Sequence, residues 1–428
     1  MKRIVLFLLL GSRVMAGPVA DAGVALVPKE DARAPWLVPS FDIRMRYEYG
    51  SVDAPGIGDA TAWTIRERAG LKVGPFAGLT MFAEYEGTQA FDDHYATPFP
   101  TSPGPGPRTA IADPESSEMN QAWLEWAGFD SSVKAGRQRL IIDNAAFVGN
   151  VGWRQNEQTY DGVVLRTGAL DDFVFQYAWI NRVNRVFGSD ATGATRNLAG
   201  DVHLLHANWK PCDSFQMSGY VYLMDFNETG AAFSNNTCGM WVETAVPLFG
   251  DWVGLLHGEA ALQTDASSAP VDYQAVYGHV FFHASHAGHK LEVGYEHLGD
   301  DLGTVKGSGA PAGISVRTPL ATAHAFNGFS DALLGARVAG APGGIGDLYL
   351  GYSTMLPAEV KLLVALHWFG EAGFGFGYGR EANLVLSRKF GEHFTTIAKL
   401  AMFDSAGGTR NPAPFDTVRA TLEVNSTY

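Results

Sequence analysis

The chain has 428 residues, of which 12% are aromatic, 18% are charged and 50 are glycine. This composition excludes a disordered chain, and two cysteines are too few for a disulfide framework. The net charge of −14 counts against nucleic-acid binding, because a nucleic-acid-binding protein must neutralise phosphates with excess Lys and Arg. The length fits either several soluble domains or one large closed β-barrel.

The first 16 residues have the pattern of a secretory signal peptide. Lys2 and Arg3 form a charged start, residues 4–10 are apolar, and the small residue Ala16 precedes the expected cleavage point. The apolar run is far shorter than the roughly 20 residues that a membrane-spanning helix needs, so we expect export and cleavage. Residues 17–39 contain proline and show no periodicity, and we interpret them as a periplasmic extension before a barrel at 40–428.

Apolar and charged residues then alternate with a period of two, as in strands that present one face to lipid or core and the other to polar surroundings. The apolar set begins with Phe41, Ile43, Met45, Tyr47 and Tyr49. The charged set on the opposite face includes Arg44, Arg46, Arg66, Arg68, Lys72, Glu84 and Glu86. Runs of about 9 to 12 alternating residues match tilted strands that cross a membrane.

Short and long connections follow one another to the end of the chain. Eight short turns are expected at 74–78, 128–131, 168–171, 211–213, 247–251, 285–289, 355–359 and 391–393. Nine longer loops are expected at 50–60, 88–118, 141–157, 183–200, 226–236, 264–271, 299–345, 370–376 and 404–415. This segregation predicts an all-β fold, an antiparallel transmembrane β-barrel of about 18 strands with short periplasmic turns, long extracellular loops and periplasmic termini.

The last residues fit the same barrel. Val418, Ala420, Leu422 and Val424 alternate with polar residues, and the chain ends at Tyr428. A final amphipathic strand with an aromatic end is similar to the signal that barrel-assembly machinery recognises in outer-membrane proteins. We therefore expect a bacterial outer-membrane protein that contacts lipid and that binds no nucleic acid.

The densest polar segment is 136–161. Its candidate pore-lining or solute-binding residues are Arg137, Arg139, Asp143, Asn144, Arg154, Gln155, Asn156 and Asp161. Donors of this kind replace the lost hydration of a polar solute in a constriction. The alternative is an internal network that fixes a folded-in loop, because charges inside a barrel need partners. The two roles are compatible.

Three runs resemble the alginate-export family of bacterial outer-membrane barrels. They are DPESSEMNQAWLEW (113–126), GRQRLIIDNAAFVGNVGWRQNEQTYDG (136–162) and RTPLATAHAFNGFSDALLG (317–335), of which only the second is specific. The resemblance implies an 18-stranded monomer with a narrow, Arg-lined passage for an anionic polysaccharide. Ala146 stands where the family pattern usually has Arg, and the turns at 355–359 and 391–393 are short, so alginate is one solute among several.

The sequence thus predicts a porin-like channel for passive passage of a polar, anionic solute such as a polysaccharide or uronate oligomer. A loop-plugged structural or adhesive barrel without transport is the alternative. No hydrolase, nucleotide-binding or zinc-protease motif is found, so we expect no enzyme and no cofactor, although a barrel enzyme built from dispersed Ser, His and Asp stays open. We also expect no metal site, because His203 and His206 would lie on opposite faces of a strand. His324 and Asp331 are expected to serve loop folding.

Overall fold

The computed structural model describes residues 36–97, 107–227, 229–373 and 377–428. The predicted signal peptide 1–16 and the extension up to residue 35 lie outside the described residues. The first strand begins at Leu37, three residues before the predicted start of the barrel at residue 40. The strand starts earlier because residues 37–39 already pair with residues 71–73 of the next strand.

Eighteen strands within the described residues form one antiparallel sheet. The strands are β1 Leu37–Val52, β2 Ala60–Phe76, β3 Leu79–His94, β4 Ser116–Gly128, β5 Ser131–Gln138, β6 Thr159–Leu170, β7 Phe173–Asn184, β8 Asn197–Cys212, β9 Phe215–Phe226, β10 Asn235–Pro247, β11 Val253–Asp265, β12 Gln274–His286, β13 His289–Leu298, β14 Ile345–Leu356, β15 Val360–Gly370, β16 Gly379–Phe390, β17 Phe394–Ser405 and β18 Thr417–Thr427. Each strand pairs with the next one in the chain, and β18 pairs with β1, so the sheet closes without an edge. The prediction of about 18 antiparallel strands is confirmed.

The closing seam is sealed by the chain end. The amide of Phe41 donates to the carbonyl of Tyr428 at 3.0 Å, and the amide of Tyr428 donates back at 2.8 Å. Eight short turns join strand pairs at one end of the barrel, and nine longer connections lie at the other, as the sequence pattern predicts. We call these the short-turn end and the long-loop end.

Side-chain alternation gives the wall two chemically different faces. In β1 the apolar side chains of Phe41, Ile43 and Met45 are exposed, whereas Arg44 and Arg46, which alternate with them, are buried. This arrangement of apolar and charged side chains is the inverse of that in a soluble protein. A barrel in lipid requires it, because the outer face meets hydrocarbon and the inner face can hold water and ions. None of the helices in the described ranges is long and apolar enough to cross a bilayer.

Two of the long connections fold into the lumen. Loop 139–158 joins β5 to β6, and loop 299–344 joins β13 to β14. The second loop contains helix α1, Leu334–Ala339, and a 3-10 turn at Ala323–Ala325. Other short pieces in the long connections are the 3-10 turns Gly193–Thr195 and Ala231–Phe233 and the two-residue strands Val271–Asp272, Asp300–Asp301, Thr304–Val305 and Ile314–Ser315. Pro357–Glu359 is a 3-10 turn at the short-turn end.

Candidate functional site

The two inward loops meet and hold each other. Val148 and Leu320 form a parallel bridge, and the amide of Gly149 donates to the Leu320 carbonyl at 2.8 Å. The amide of Thr322 donates to the Ala145 carbonyl at 3.0 Å. Backbone groups that leave the wall would lack partners inside a barrel, so this pairing satisfies them and makes the two loops one unit.

One side of this unit rests on the arginine wall, which we define as the inward side chains of β1–β3 and β18. Its members are Arg44, Arg46, Glu48, Arg66, Arg68, Glu84, Glu86, Arg419 and Glu423. Arg44 donates through Nη1 to the carbonyls of Gly152, Trp153 and Arg154, at 2.9, 3.1 and 2.9 Å. The guanidinium group of Arg44 therefore provides hydrogen bonds to backbone carbonyls of loop 139–158 that would otherwise need water.

Arg46 and Arg154 connect the wall to the loops by ion pairs. Arg46 lies 2.7 Å from Glu423 and 3.0 Å from Asp113. Arg154 lies 3.1 Å from Glu48, and its Nη2 also lies 3.1 Å from Asp331 of the second loop. All these groups are buried. Buried charges are tolerated where each has opposite charges and hydrogen bonds around it, so this cluster holds only as a complete set.

A second ionic cluster surrounds the buried carboxylate of Glu157. Arg139 lies 2.5 Å from Glu157, and Arg68 lies 3.7 Å from it while it also pairs with Glu86. Burial raises the pKa of Glu157, but Arg139 and Arg68 outweigh this effect and hold that pKa far below its usual range. Arg66 pairs with Asp42 on the same wall.

Two further residues of the predicted set, Glu84 and Lys72, lie in different parts of the barrel. Glu84 accepts hydrogen bonds from Asn120 at 2.8 Å and Gln121 at 2.9 Å. Asn120 also donates to Glu157 at 2.7 Å, which links Glu84 to the second cluster. Lys72 is exposed near the short-turn end, far along β2 from these pairs.

The amides of loop 139–158 serve its own folding and docking. Gln155 donates to Thr64 at 2.8 Å, and Asn156 accepts from Thr88 and Ser116, both at 2.7 Å. The side chain of Asn144 accepts from the Ala146 amide at 3.0 Å. The structure thus favours the internal-network role for these residues.

The other side of the loops rests on the tyrosine–histidine wall, the inward side chains of β8–β12 and β14. Its members are His206, Tyr220, Tyr222, Trp241, His257, Glu259, Tyr277, His279 and Tyr349. Asp143 accepts from Trp241 at 2.9 Å and lies 2.9 Å from His206. Phe147 packs on Tyr220 and Tyr277, with ring centroids 5.6 and 5.0 Å apart.

Two predicted site residues do not reach the lumen. Arg137 and Asp161 pair with each other at 2.7 Å, but they lie on the outward face of β5 and β6. Val133 and Leu165, which share that face by strand alternation, are also exposed. Arg137 and Asp161 still belong to strands, and the alternation of those strands turns their side chains outward. The prediction that they line the pore is therefore wrong.

A cavity of about 220 Å³ opens between the inward loops and the connections at the long-loop end. Its charged lining is Arg154, Arg185, Arg419, His324 and Asp331. The other lining residues are Ala110, Ala112, Val151, Trp153, Gln158, Val186, Phe187, Pro319, Ala321, Ala323, Leu334 and Val338. The site therefore combines guanidinium groups with a mainly apolar surface.

Arg185 has a different environment from the other two guanidinium groups. It donates to the Ala194 carbonyl at 3.2 Å and lies over the rings of Phe187 and Phe233. Within the described ranges it makes no ion pair with a carboxylate. Burial lowers the pKa of Arg185 to about 10, so the group stays charged near neutral pH.

His324 and Asp331 both line the cavity, and their contacts support the loop-folding role that the sequence suggests. The His324 ring stacks on Trp153 with centroids 3.3 Å apart, and its Nδ1 lies 2.7 Å from Asp331. Burial lowers the pKa of His324 to about 4, which keeps the imidazole neutral near pH 7. Burial raises the pKa of Asp331, but His324, Arg419 and Arg154 outweigh it and hold that pKa well below its usual range.

The residues predicted from the sequence to line the pore do not include four that the structure brings into the site: Asp113, Arg185, Arg419 and Glu423. Arg419 and Glu423 lie at inward positions of the last strand, so alternation alone could have placed them in the lumen. Their partners could not be read in that way, because Glu48 and Arg419 are 371 residues apart and meet only when the barrel closes. Asp113 and Arg185 lie in connections, where no period indicates direction.

Residues 36–244 match the family model described as alginate export. The match confirms the resemblance found in the sequence over that part of the chain. No curated protein matches the chain.

Solved structures match over nearly the whole chain. The crystal structure of Acinetobacter baumannii OccAB4 has a TM-score of 0.66 at 13% identity, and the match covers 92% of this chain and 99% of that one. The outer membrane protein OpdK from Pseudomonas aeruginosa has a TM-score of 0.65 at 13% identity, with 91% and 99% covered. A structure of Pseudomonas aeruginosa OpdK with vanillate has a TM-score of 0.65 at 12% identity, with 91% and 98% covered. These likenesses show the fold, which is that of an outer-membrane β-barrel.

Proposed function

We propose that the chain is an outer-membrane channel through which a polar, anionic solute passes down its own gradient. The observation that carries this proposal is the cavity at the long-loop end, where Arg154, Arg185 and Arg419 face a single carboxylate, Asp331. A cleft whose lining carries an excess of one charge sign beside apolar walls concentrates the field and attracts solute of opposite sign.

Arg185 is the residue that we assign to the solute directly. Arg154 and Arg419 already contact Glu48, so their charge is partly used inside the protein. Among the described residues, Arg185 has carbonyl and ring contacts but no carboxylate partner, and a solute carboxylate would accept hydrogen bonds from its remaining N–H groups. The planar guanidinium fork matches a carboxylate with two parallel hydrogen bonds.

The lining also restricts the rest of the solute. Trp153, Val186 and Leu334 offer apolar surface beside the guanidinium groups. A solute that joins a carboxylate to a ring with a flat or weakly polar face fits this combination. Uronate oligomers are one such class, which the alginate-export match of residues 36–244 supports. Aromatic carboxylates are another, and the relative OpdK was solved with vanillate.

The remaining predicted residues act as positioning residues for the passage. We propose that Arg44, Arg46, Arg66, Arg68, Glu84 and Glu86 fix loop 139–158 from the wall, and that Asp143 fixes it from the opposite side. Arg139, Arg154, Gln155 and Asn156 complete this framework from the loop. Lys72 would add positive charge near the short-turn end.

We propose that the short-turn end and both termini face the periplasm and that the long loops face the outside. The strand β18, which is followed directly by Tyr428 and pairs with β1, would be the element that barrel-assembly machinery recognises. Passage down a gradient needs no cofactor and no catalytic group, and a closed sheet without an edge can act as a monomer in lipid.

A loop-plugged barrel without transport is the second candidate, and one observation favours it. Loops 139–158 and 299–344 are tied to each other and to both walls, so together they cross the lumen. A barrel of this kind would act through its outer surface. Ion flux separates the two candidates, because a plugged barrel passes no current.

The solute is tested in liposomes that contain the purified full chain. Influx of oligouronates and of vanillate is compared with influx of neutral oligosaccharides of matched size. We expect both acids to enter faster than the neutral sugar. We expect Arg185→Gln to slow the acids by roughly 10-fold, because a charge-assisted hydrogen bond contributes about 1.5–3 kcal/mol.

Arg182→Gln is the matched control, since Arg182 lies on the same stretch of chain but is exposed on the outward face beside Asp161. It should leave all three rates unchanged. Equal rates for acids and neutral sugars in the native protein would contradict the anionic assignment. Slower neutral flux in Arg185→Gln would show that the substitution narrows the path and would also contradict it.

A further inference from the structure

Three side chains with metal-binding atoms lie together on the tyrosine–histidine wall. They are His257 and Glu259 of β11 and His279 of β12. One ligand atom from each lies within 4.8 Å of the other two. The group is separate from the cavity at the long-loop end, since none of its members lines that cavity.

The barrel register explains why the three meet. His257 and Glu259 are two apart on one strand, so both point to the lumen. Glu259 is the direct cross-strand partner of His279, and side chains of such a pair stand about 4.5–5.5 Å apart at Cβ. The approach of His279 to the other two is not visible without the register between the strands, which is why the histidine spacings in the sequence gave no indication of this site.

Each of the three has an outer partner that fixes its orientation. His257 Nδ1 lies 3.2 Å from Glu243, and Tyr220 donates to Glu259 at 2.6 Å. His279 Nε2 lies 3.0 Å from the hydroxyl of Tyr349. Histidines that bind metals commonly donate their other ring nitrogen to such a partner, because this fixes the tautomer and directs the second nitrogen to the ion.

The second ring nitrogens have no such partner. His257 Nε2 and His279 Nδ1 are both buried without a hydrogen bond among the described residues. Their residues are only 4% and 8% exposed, and His257 Nε2 lies 3.7 Å from Glu259, too far for a hydrogen bond. Leaving a buried polar atom unpaired costs about 1–3 kcal/mol, so two such atoms beside one carboxylate require an explanation.

We propose that His257, Glu259 and His279 bind one divalent transition-metal ion of the Zn²⁺ class on the lumen wall. Two imidazoles and one carboxylate form a ligand set that such ions accept, and a water molecule would take the fourth position. Ligand atoms around tetrahedral zinc at about 2.0–2.1 Å lie about 3.4 Å from one another, and the three atoms here already lie within 4.8 Å of one another, so small side-chain movements would complete the site. The prediction of no metal, made from sequence, is replaced by this proposal.

The test uses the purified full chain, stripped with chelator and titrated with Zn²⁺ and separately with Co²⁺. We expect one equivalent to bind with a micromolar or lower Kd and the Co²⁺ form to show the intense visible bands of four-coordinate cobalt. His279→Gln and Glu259→Gln should abolish this binding. Tyr349→Phe keeps all ligands and should weaken it by about 10- to 100-fold through loss of the outer partner.

His283→Gln is the matched control, because His283 lies on the same strand and the same inward face without being in the group. It should bind Zn²⁺ as the native chain does. The chain has 12 histidines, so binding that survives His279→Gln and Glu259→Gln would place the ion elsewhere and overturn the proposal. Absence of saturable binding in the native chain would also overturn it. Heat-dependent gel mobility confirms that each variant is a folded barrel.

Discussion

The two walls of the lumen hold the same loop by different chemistry. The arginine wall binds loop 139–158 with guanidinium groups that reach its carbonyls and with ion pairs around Arg154. The tyrosine–histidine wall binds it mainly through the ring of Phe147, with a single polar contact set at Asp143. Both walls use inward positions of alternating strands, so alternation decides which residues face the lumen but not how they hold a loop.

This difference predicts unequal consequences when each contact is lost. An ionic network must be complete, because removing one member leaves other buried charges uncompensated. Ring contacts lose only the area and geometry of the group that is removed.

The largest effect is expected for Arg154→Met. It removes the partner of Glu48 and Asp331 while it keeps most of the side-chain volume. We expect loop docking to weaken by about 3–5 kcal/mol, the usual cost of breaking a buried ion pair. Hydrogen exchange of residues 145–158 should accelerate, and single-channel conductance should rise.

Arg380→Met is the control for that change. Arg380 pairs with Asp404 at 2.7 Å, but both side chains are more than half exposed. Exposed pairs contribute about 0–1 kcal/mol, so exchange and conductance should stay as in the native chain. Equal effects of the two substitutions would show that the arginine wall does not act as a network.

The second-largest effect is expected for the docking of loop 299–344, which should depend on pH. Because burial lowers the pKa of His324 from 6.5 to about 4, the released loop takes up a proton between these values and the docked loop does not. Docking is therefore fully stable above about pH 6.5, weakens as the pH falls towards 4, and is then constant with respect to this group. Between these two pH values the free energy of loop docking falls by an amount on the order of 3 kcal/mol.

Conductance measured at about pH 7 and about pH 4.5 checks this dependence. It should rise at the lower pH in the native protein and not in His324→Gln, which cannot take up the proton. An equal rise in both proteins would assign the effect to another group.

A smaller effect is expected for Phe147→Leu on the opposite wall. The substitution keeps most of the apolar area but loses the ring contacts with Tyr220 and Tyr277, which contribute about 0.5–1.5 kcal/mol. Hydrogen exchange should accelerate at 145–149 and stay unchanged at 152–157, where the arginine wall holds the loop. Acceleration over the whole loop would mean that the two walls do not act independently.

The smallest effect is expected for Arg137→Gln. Arg137 pairs with Asp161 on the outward face, so its loss should cost at most about 1 kcal/mol and leave ion selectivity unchanged. A shift in reversal potential would contradict this placement and restore the pore-lining role that its sequence context suggests.

These regions also show what a sequence of this kind can predict. Strand number, turn positions and the inward side of Arg44 and Arg46 follow from the period of two, because a strand has only two faces. The pairing of Arg46 with Glu423, 377 residues away, depends on closure of the barrel. The grouping of His257, Glu259 and His279 depends on register, and the position of Arg185 on a connection without a period. Local pattern therefore predicts the wall, whereas closure and register create the sites.

The most direct test of the channel proposal is the reversal potential of the native protein in a planar bilayer under a KCl gradient. The guanidinium group of Arg185, in a cavity whose lining has three arginines and one carboxylate, predicts a measurable current with a reversal potential displaced towards that of chloride. Absence of current would favour the loop-plugged barrel. A potential displaced towards that of potassium would contradict an anion-selective passage.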